Sequence, residues 1–188
     1  MNNEENLENI SNEISLCTKC ALCKSAIQAV PGSGNPNTKI VFIGEAPGFY
    51  EDQLGLSFVG RSGKLLDFLL GQIKLNRNDV WIGNIIKHRP PENRDPSPEE
   101  IKICKSFLTR QLDVINPKII ITLGRFSMNY FLPDAVISKA HGKTHQVGRF
   151  VIYPLYHPAA GLRNPNMKLQ LIEDFLKIPD IIEMTNLI

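Results

Sequence analysis

Four short aliphatic runs alternate with stretches whose apolar residues recur at helical spacing. The runs are KIVFIG at 39–44, VWIGNI at 80–85, KIIITLG at 118–124 and RFVIYPL at 149–155. A run that is apolar at successive positions has no polar face, so each strand requires cover on both sides. Strands that alternate with helices are joined by crossovers, which make them parallel and lay helices over both faces of the sheet. The expected fold is therefore α/β: a single domain over 1–188 with a central parallel four-stranded sheet flanked by helices on both faces. A chain of 188 residues is long enough to bury one such core, and no internal repeat or low-complexity tract divides it.

The helical segments are legible from their stripes. Leu7, Ile10 and Ile14 share a face within 4–16, and Leu65, Leu66, Leu69 and Ile73 do so within SGKLLDFLLGQI. Ser97 as N-cap with Pro98 at the first helical position starts a helix that runs to about Ile115, with Ile101, Cys104, Leu108 and Leu112 on one side. Short helices are expected over Arg125–Phe131 and from about Lys168 to Ile178, leaving 179–188 as a short tail. PGSGNPNT at 31–38 is a loop of turn formers that separates a helical, metal-binding segment at about 1–30 from the first strand.

Two of the strands end in rigid turns that each carry one ionisable side chain. GEAPG (44–48) follows KIVFI and holds Glu45; YHPAA (156–160) follows FVIYPL and holds His157. Open α/β sheets build their sites at the C-terminal ends of their strands. The chain thus reads as an enzyme with its chemistry shared between two loops.

The net charge of +2 says less than its distribution. Between Asn84 and Arg163 there are 12 Lys/Arg against 6 Asp/Glu, whereas the first 13 residues hold four Glu and no basic residue. A basic middle suits a phosphate-bearing partner, because Lys and Arg displace condensed counterions from nucleic acid; a solvated mixed surface gives the same count. The acidic start is not a secretory signal and no apolar stretch approaches a membrane span, so a cytoplasmic protein with no membrane partner is expected. Cys17, Cys20 and Cys23 are crowded into CTKCALC and Cys104 stands alone. Thiolates three residues apart can converge on one metal or cluster, which favours ligation over a disulfide staple. Cys104, inside an amphipathic helix, also suits a core position.

CTKC at 17–20, GEAPG followed by Glu51 and Asp52, SFVGRSG at 57–63, NIIKHRPPENR at 84–94, the pair Ile103 and Cys104, and HPAA followed by Arg163 and Asn164 occur in one order and spacing over nearly the whole chain. In these strings the chain resembles the family 4 uracil-DNA glycosylases, iron–sulfur enzymes of base excision repair. The resemblance implies a monofunctional, monomeric hydrolase that flips uracil out of DNA and cleaves its N-glycosidic bond, leaving an abasic site. Cleavage develops positive charge on the sugar and negative charge on the base, so donors aimed at the uracil oxygens supply much of the catalysis. By the resemblance, His157 donates to the developing uracil anion, and Glu45 orients water or stabilises the cationic sugar. Asn84 pairs with O4 and N3–H, which its amide can do with one acceptor and one donor. Phe58 stacks on the flipped base, and Gly44 and Ala46 give it backbone contacts. Glu51 crowds the position of a thymine methyl group. Ser62, Lys87 and Arg163 hold phosphates, and Leu162 wedges into the vacated stack.

One position departs from the pattern. Where the family carries a cluster cysteine, this chain has His88, with the interval to Cys104 kept at 16 residues. The expectation is a 4Fe–4S cluster held by Cys17, Cys20, His88 and Cys104. Cys23 is the alternative fourth ligand, and zinc or an empty site is the third outcome. The alternative functions are a cluster-bearing DNA-binding module with little or no turnover and a hydrolase of free nucleosides or nucleotides.

Overall fold

The computed structural model describes residues 2–186. Six strands form one sheet: β1 (Ser33–Gly34), β2 (Ile40–Gly44), β3 (Trp81–Asn84), β4 (Ile119–Leu123), β5 (His145–Val147) and β6 (Phe150–Leu155), in the order β1-β3-β2-β4-β6-β5. The central β3, β2, β4 and β6 are parallel and are the four strands expected from the aliphatic runs. The four-strand count is corrected to six by β1 and β5, which add antiparallel at the two edges. Neither edge strand carries an aliphatic run. β1 exists because Gly34, at φ 126°, approaches the chain so closely that a Cβ would lie 2.1 Å from the Val80 carbonyl oxygen.

The helices are α1 (Asn3–Ser15), α2 (Leu22–Ser25), α3 (Phe49–Leu54), α4 (Arg61–Gln72), α5 (Pro98–Ile115), α6 (Arg125–Phe131), α7 (Ile137–Ala140), α8 (Pro158–Arg163), α9 (Pro165–Phe175) and α10 (Ile178–Asn186). Strand periodicity divides the core into two layers. Ile40, Phe42, Ile82, Ile119, Ile121, Tyr153 and Leu155 pack against Leu66, Leu69 and Leu70 of α4, Phe175 of α9 and Ile178 and Ile181 of α10. The intervening Val41, Ile43, Trp81, Ile120 and Ile152 pack against Leu7 of α1 and Leu108, Leu112 and Ile115 of α5. Each such side chain stabilises the fold by about 1.5–3 kcal/mol, and only two helical layers bury all of them. The segment read as a tail is helical through Asn186, with Ile181 in the core; residues 187 and 188 lie outside the described residues. None of the described helices is long and apolar enough to cross a membrane.

The order of strands places the site. From β2 the chain crosses by α4 to β3 on one side, then returns by α5 over β2 to β4 on the other. The winding direction reverses between β2 and β4, and a crevice opens beyond their C-terminal ends.

Candidate active site

A cleft of about 730 Å³ occupies that crevice. Glu45 and Ala46 line it from the turn after β2, Asn84 from the end of β3, Gly124 and Arg125 from the turn after β4, and Tyr156 and His157 from the end of β6. Phe58, Ser62 and Arg163 also border it. The carboxylate, amide and imidazole singled out in the sequence therefore share one cavity. The parallel register sets Gly44 beside Asn84, and Ile85 and Ile86 donate their N–H groups to the Gly44 and Glu45 carbonyls, each at 3.0 Å. Gly44 must lack a side chain: a Cβ would lie 2.5 Å from Asn84 Oδ1 and 2.6 Å from the Phe58 ring.

Asn84 is buried at 1 % exposure, and its Oδ1 has no hydrogen-bond donor among the described residues. A buried acceptor left unpaired costs about 1–3 kcal/mol. Next to a cleft, this is the arrangement of an acceptor kept for a ligand's N–H.

His157 is the N-cap of α8, where its Nδ1 accepts the Ala159 N–H at 3.0 Å. The cap fixes the tautomer of the neutral ring, leaving the proton on Nε2. Burial, with the Arg163 charge adding to it and Glu51 opposing, pushes the imidazole down to about 4. At neutral pH His157 is an uncharged donor.

Phe58 lies at φ 55° with its ring centroid 5.8 Å from that of His157. A non-glycine residue in this region carries strain and persists only when its surroundings over-determine it. Arg77 supplies that constraint by donating to the carbonyls of Ser57, at 2.8 Å, and Phe58, while Nε holds Asp67 at 2.6 Å. Gly63 supplies the rest, since a Cβ there would fall 1.7 Å from the Phe58 carbonyl oxygen. Gly63→Ala is expected to cost about 1–3 kcal/mol by overpacking and to raise KM as the ring shifts. Thermal denaturation and steady-state kinetics check both effects, and a variant unchanged in Tm and KM would contradict them.

Glu51 lines the cleft as well, with its carboxylate engaged by the backbone. Oε1 accepts from the N–H groups of Val59 and Gly60, both at 2.8 Å, and Oε2 accepts from that of Gly48 at 3.2 Å. Its carboxylate ties the 57–60 loop to the start of α3. Lys87 requires correction. The residue is 1 % exposed and its ammonium donates to the Asn84 and Pro31 carbonyls and to Gln111 Oε1, so no phosphate reaches it. Burial pushes this ammonium down to about 8. Ser62 in the first turn of α4 and the exposed Arg163 at the end of α8 remain accessible beside the cleft. Leu162, 37 % exposed on α8, stands next to Arg163 and does not line the cavity.

The sequence reading missed Asp95 and Arg125, which form an ion pair at 2.5 Å on the cleft wall. Burial, then the Asp95 charge, pushes Glu45 up to about 7, with Arg125 opposing. Arg125 follows a strand-ending glycine, a signal of the kind that marked Glu45. Asp95 follows the irregular PPENR stretch and carries no comparable mark. Tyr50 and Phe49 also border the cleft and are half-exposed.

Away from the cleft, Cys17, Cys20 and Cys23 are partly buried and Cys104 is buried. The Cys104 thiol is held up by burial, and it receives the Lys87 backbone N–H and senses Cys20 and Cys17. The Cys23 thiol donates to the Cys20 carbonyl at 3.1 Å. His88 is buried and has Asp52 as its charged neighbour. Among the described residues, no three His, Cys, Asp or Glu side chains are gathered as ligands of a single ion. Ligands of a multi-iron cluster each bind a different iron, and so stand further apart than ligands of one ion.

The switch-point cleft has room for a nucleotide, and the carboxylate, unpaired amide oxygen and neutral imidazole that face it suit a glycosylase that excises a base. Residues 31–177 match the Uracil DNA glycosylase superfamily. The chain is 44% identical over 187 residues to the type-4 uracil-DNA glycosylase of Sulfurisphaera tokodaii, covering 94% of this chain and 85% of that one. It is 44% identical over 186 residues to the type-4 enzyme of Archaeoglobus fulgidus, covering 94% of each, and 46% identical over 186 residues to that of Saccharolobus solfataricus, covering 94% and 86%. The chain belongs to the type-4 uracil-DNA glycosylases.

Proposed function

We propose that the protein excises uracil from DNA by hydrolysis of the N-glycosidic bond, and the observation that carries this is the unpaired, buried Oδ1 of Asn84 in the cleft shared with Glu45 and His157. Uracil N3–H supplies the donor that Oδ1 lacks, while the amide N–H₂ faces O4. The Phe58 ring takes one face of the base, offsetting part of the few kcal/mol needed to unstack it. As the bond lengthens, Nε2–H of His157 meets the growing charge on the base, and the Glu45 carboxylate meets the sugar cation or its attacking water. Incubation with a uracil-containing oligonucleotide followed by hot alkali tests the reading. Strand breaks at uracil are expected; binding without breaks would identify a non-catalytic module.

The titration of Glu45 gives a second test. If the ionised carboxylate is the working form, kcat/KM rises with pH to a plateau above about 7. Asp95→Asn removes a repelling charge and moves the inflection to lower pH. Stability runs the other way: the folded-state value exceeds the unfolded one, so the contribution is fully present below the ordinary glutamate range and is lost as pH rises to about 7. Glu45→Gln should abolish this slope in a pH series of Tm, and a pH-independent kcat/KM between 5 and 9, roughly two units either side of neutrality, would contradict the role.

Cys17, Cys20 and Cys104 are the common part of a ligand set for a 4Fe–4S cluster, with His88 as fourth ligand and Cys23 as its alternative. The chemistry of the donors fits. Beside Cys104 lies the Lys87 ammonium, which has no carboxylate within ion-pair distance among the described residues, and anionic thiolates would complement it. Such a cluster would tie the N-terminal segment to the 88–104 connection. Iron content should fall in His88→Ala and persist in Cys23→Ser; the reverse result would move the fourth place to Cys23.

A further inference from the structure

The ammonium of Lys87 donates to the Asn84 carbonyl at 2.9 Å, to Gln111 Oε1 at 2.7 Å and to the Pro31 carbonyl at 3.2 Å. These three acceptors match its three donors. Gln111, also 1 % exposed, reaches from α5 and donates through Nε2 to the same Pro31 carbonyl at 2.9 Å. Val30 N–H closes the assembly on the Lys87 carbonyl at 2.7 Å. A buried cation is an expensive way to fill space, since an apolar side chain of equal length would pack there without desolvating a charge. Besides complementing thiolate charge near Cys104, the ammonium holds carbonyl oxygens, which a thioether cannot do.

One of those carbonyls belongs to the residue that carries base recognition. Asn84 ends β3, and the peptide that joins it to Ile85 is held on one edge by the Ile85 N–H on the Gly44 carbonyl and on the other by the Lys87 ammonium on the Asn84 carbonyl. The direction of its side-chain amide in the cleft follows from the plane of that peptide. We propose that Lys87 is a positioning residue for base discrimination: anchored by Gln111 and Pro31, its buried ammonium fixes the Asn84 peptide and thereby aims the amide at the base. The proposal rests on the reading of Asn84 as the uracil contact.

Lys87→Met keeps the length and apolar stem and removes the donors. The measurements are excision of uracil and of cytosine from otherwise identical oligonucleotides, the Kd of free uracil, and affinity for undamaged DNA across a salt series. A misplacement of about 1 Å at a reacting site costs on the order of 10²-fold. The expected result is a loss of about 10- to 100-fold in uracil kcat/KM by that reasoning, a weaker Kd for uracil and a smaller uracil-to-cytosine ratio. Undamaged-DNA affinity and its salt slope stay unchanged. An unchanged ratio and uracil Kd would overturn the proposal, as would a salt slope reduced by about one, the mark of a lost phosphate contact. Should Lys87→Met not fold, Gln111→Met leaves the ammonium its two carbonyls and should shift the ratio in the same direction by a smaller factor. No shift there overturns the proposal equally. Wild-type protein that releases no uracil rejects the underlying reading, whereas an active wild type with unaltered variants rejects only the role of Lys87.

Discussion

His157→Asn is expected to lower kcat for uracil release by about 10²–10³-fold, the usual cost of removing one donor from a preorganised anion site. Asparagine is the informative replacement because its side-chain oxygen still caps α8 by accepting the Ala159 N–H, as Nδ1 does now. Its side chain is too short to present a second donor to the base. Affinity for product DNA and Tm should stay close to wild type, so the loss falls on the transition state. Alanine at the same position removes the cap as well and should cost about 0.5–2 kcal/mol of stability in addition. Because burial keeps the imidazole neutral down to about pH 4, the wild-type rate should show no limb from His157 near neutrality. Single-turnover rates decide the matter: His157→Asn within a few-fold of wild type would remove the imidazole from the chemistry.

Asn84→Asp is the second large effect. A site built to hydrogen-bond a polar group rejects analogues by about 10⁴–10⁵-fold, because a mismatch leaves buried groups unpaired. Uracil offers an acceptor at O4 and a donor at N3; cytosine offers the reverse. The aspartate oxygens accept from the cytosine amino group, and a proton retained on the buried acid donates to N3. Uracil excision should drop by about 10- to 100-fold, matching one buried mispairing of about 1–3 kcal/mol. Cytosine excision should become measurable, most at low pH where the acid keeps its proton. Parallel assays on uracil and cytosine substrates test this, and unchanged selectivity would remove Asn84 from recognition.

The central fold was readable because its signals are local. An aliphatic run such as KIIITL admits few structures other than a doubly covered strand, and Ser97 with Pro98 marks the start of α5 to the residue. What escaped depends on tertiary contact. β1 is a pairing made possible by a glycine against Val80, and no run of residues announces it. α10 lies where only a tail was expected, although Pro179 stands in its first turn, a position that suits proline. The candidate site divides in the same way. Glu45 and His157 sit in turns directly after strands, where function is expected. Lys87 was expected on phosphate by the resemblance; lysine is rarely buried, and nothing in NIIKHR shows that Gln111, some two dozen residues on, waits to receive it. Glu51 was placed near the base by its match to the acidic residue after GEAPG in the family; only the structure shows three backbone N–H groups converging on it.

The guanidinium fork of Arg77 has a thermodynamic corollary. With the Phe58 peptide clamped from behind and Gly63 pressed against it, the ring proposed to stack on the base is held in place by folding contacts alone. The entropy of ordering it is settled during folding, so little is subtracted from the binding free energy when the base docks. A lesion enters a rigid slot, and loosening the clamp from the far side, by Arg77→Ala, should weaken retention of uracil although Arg77 never meets it.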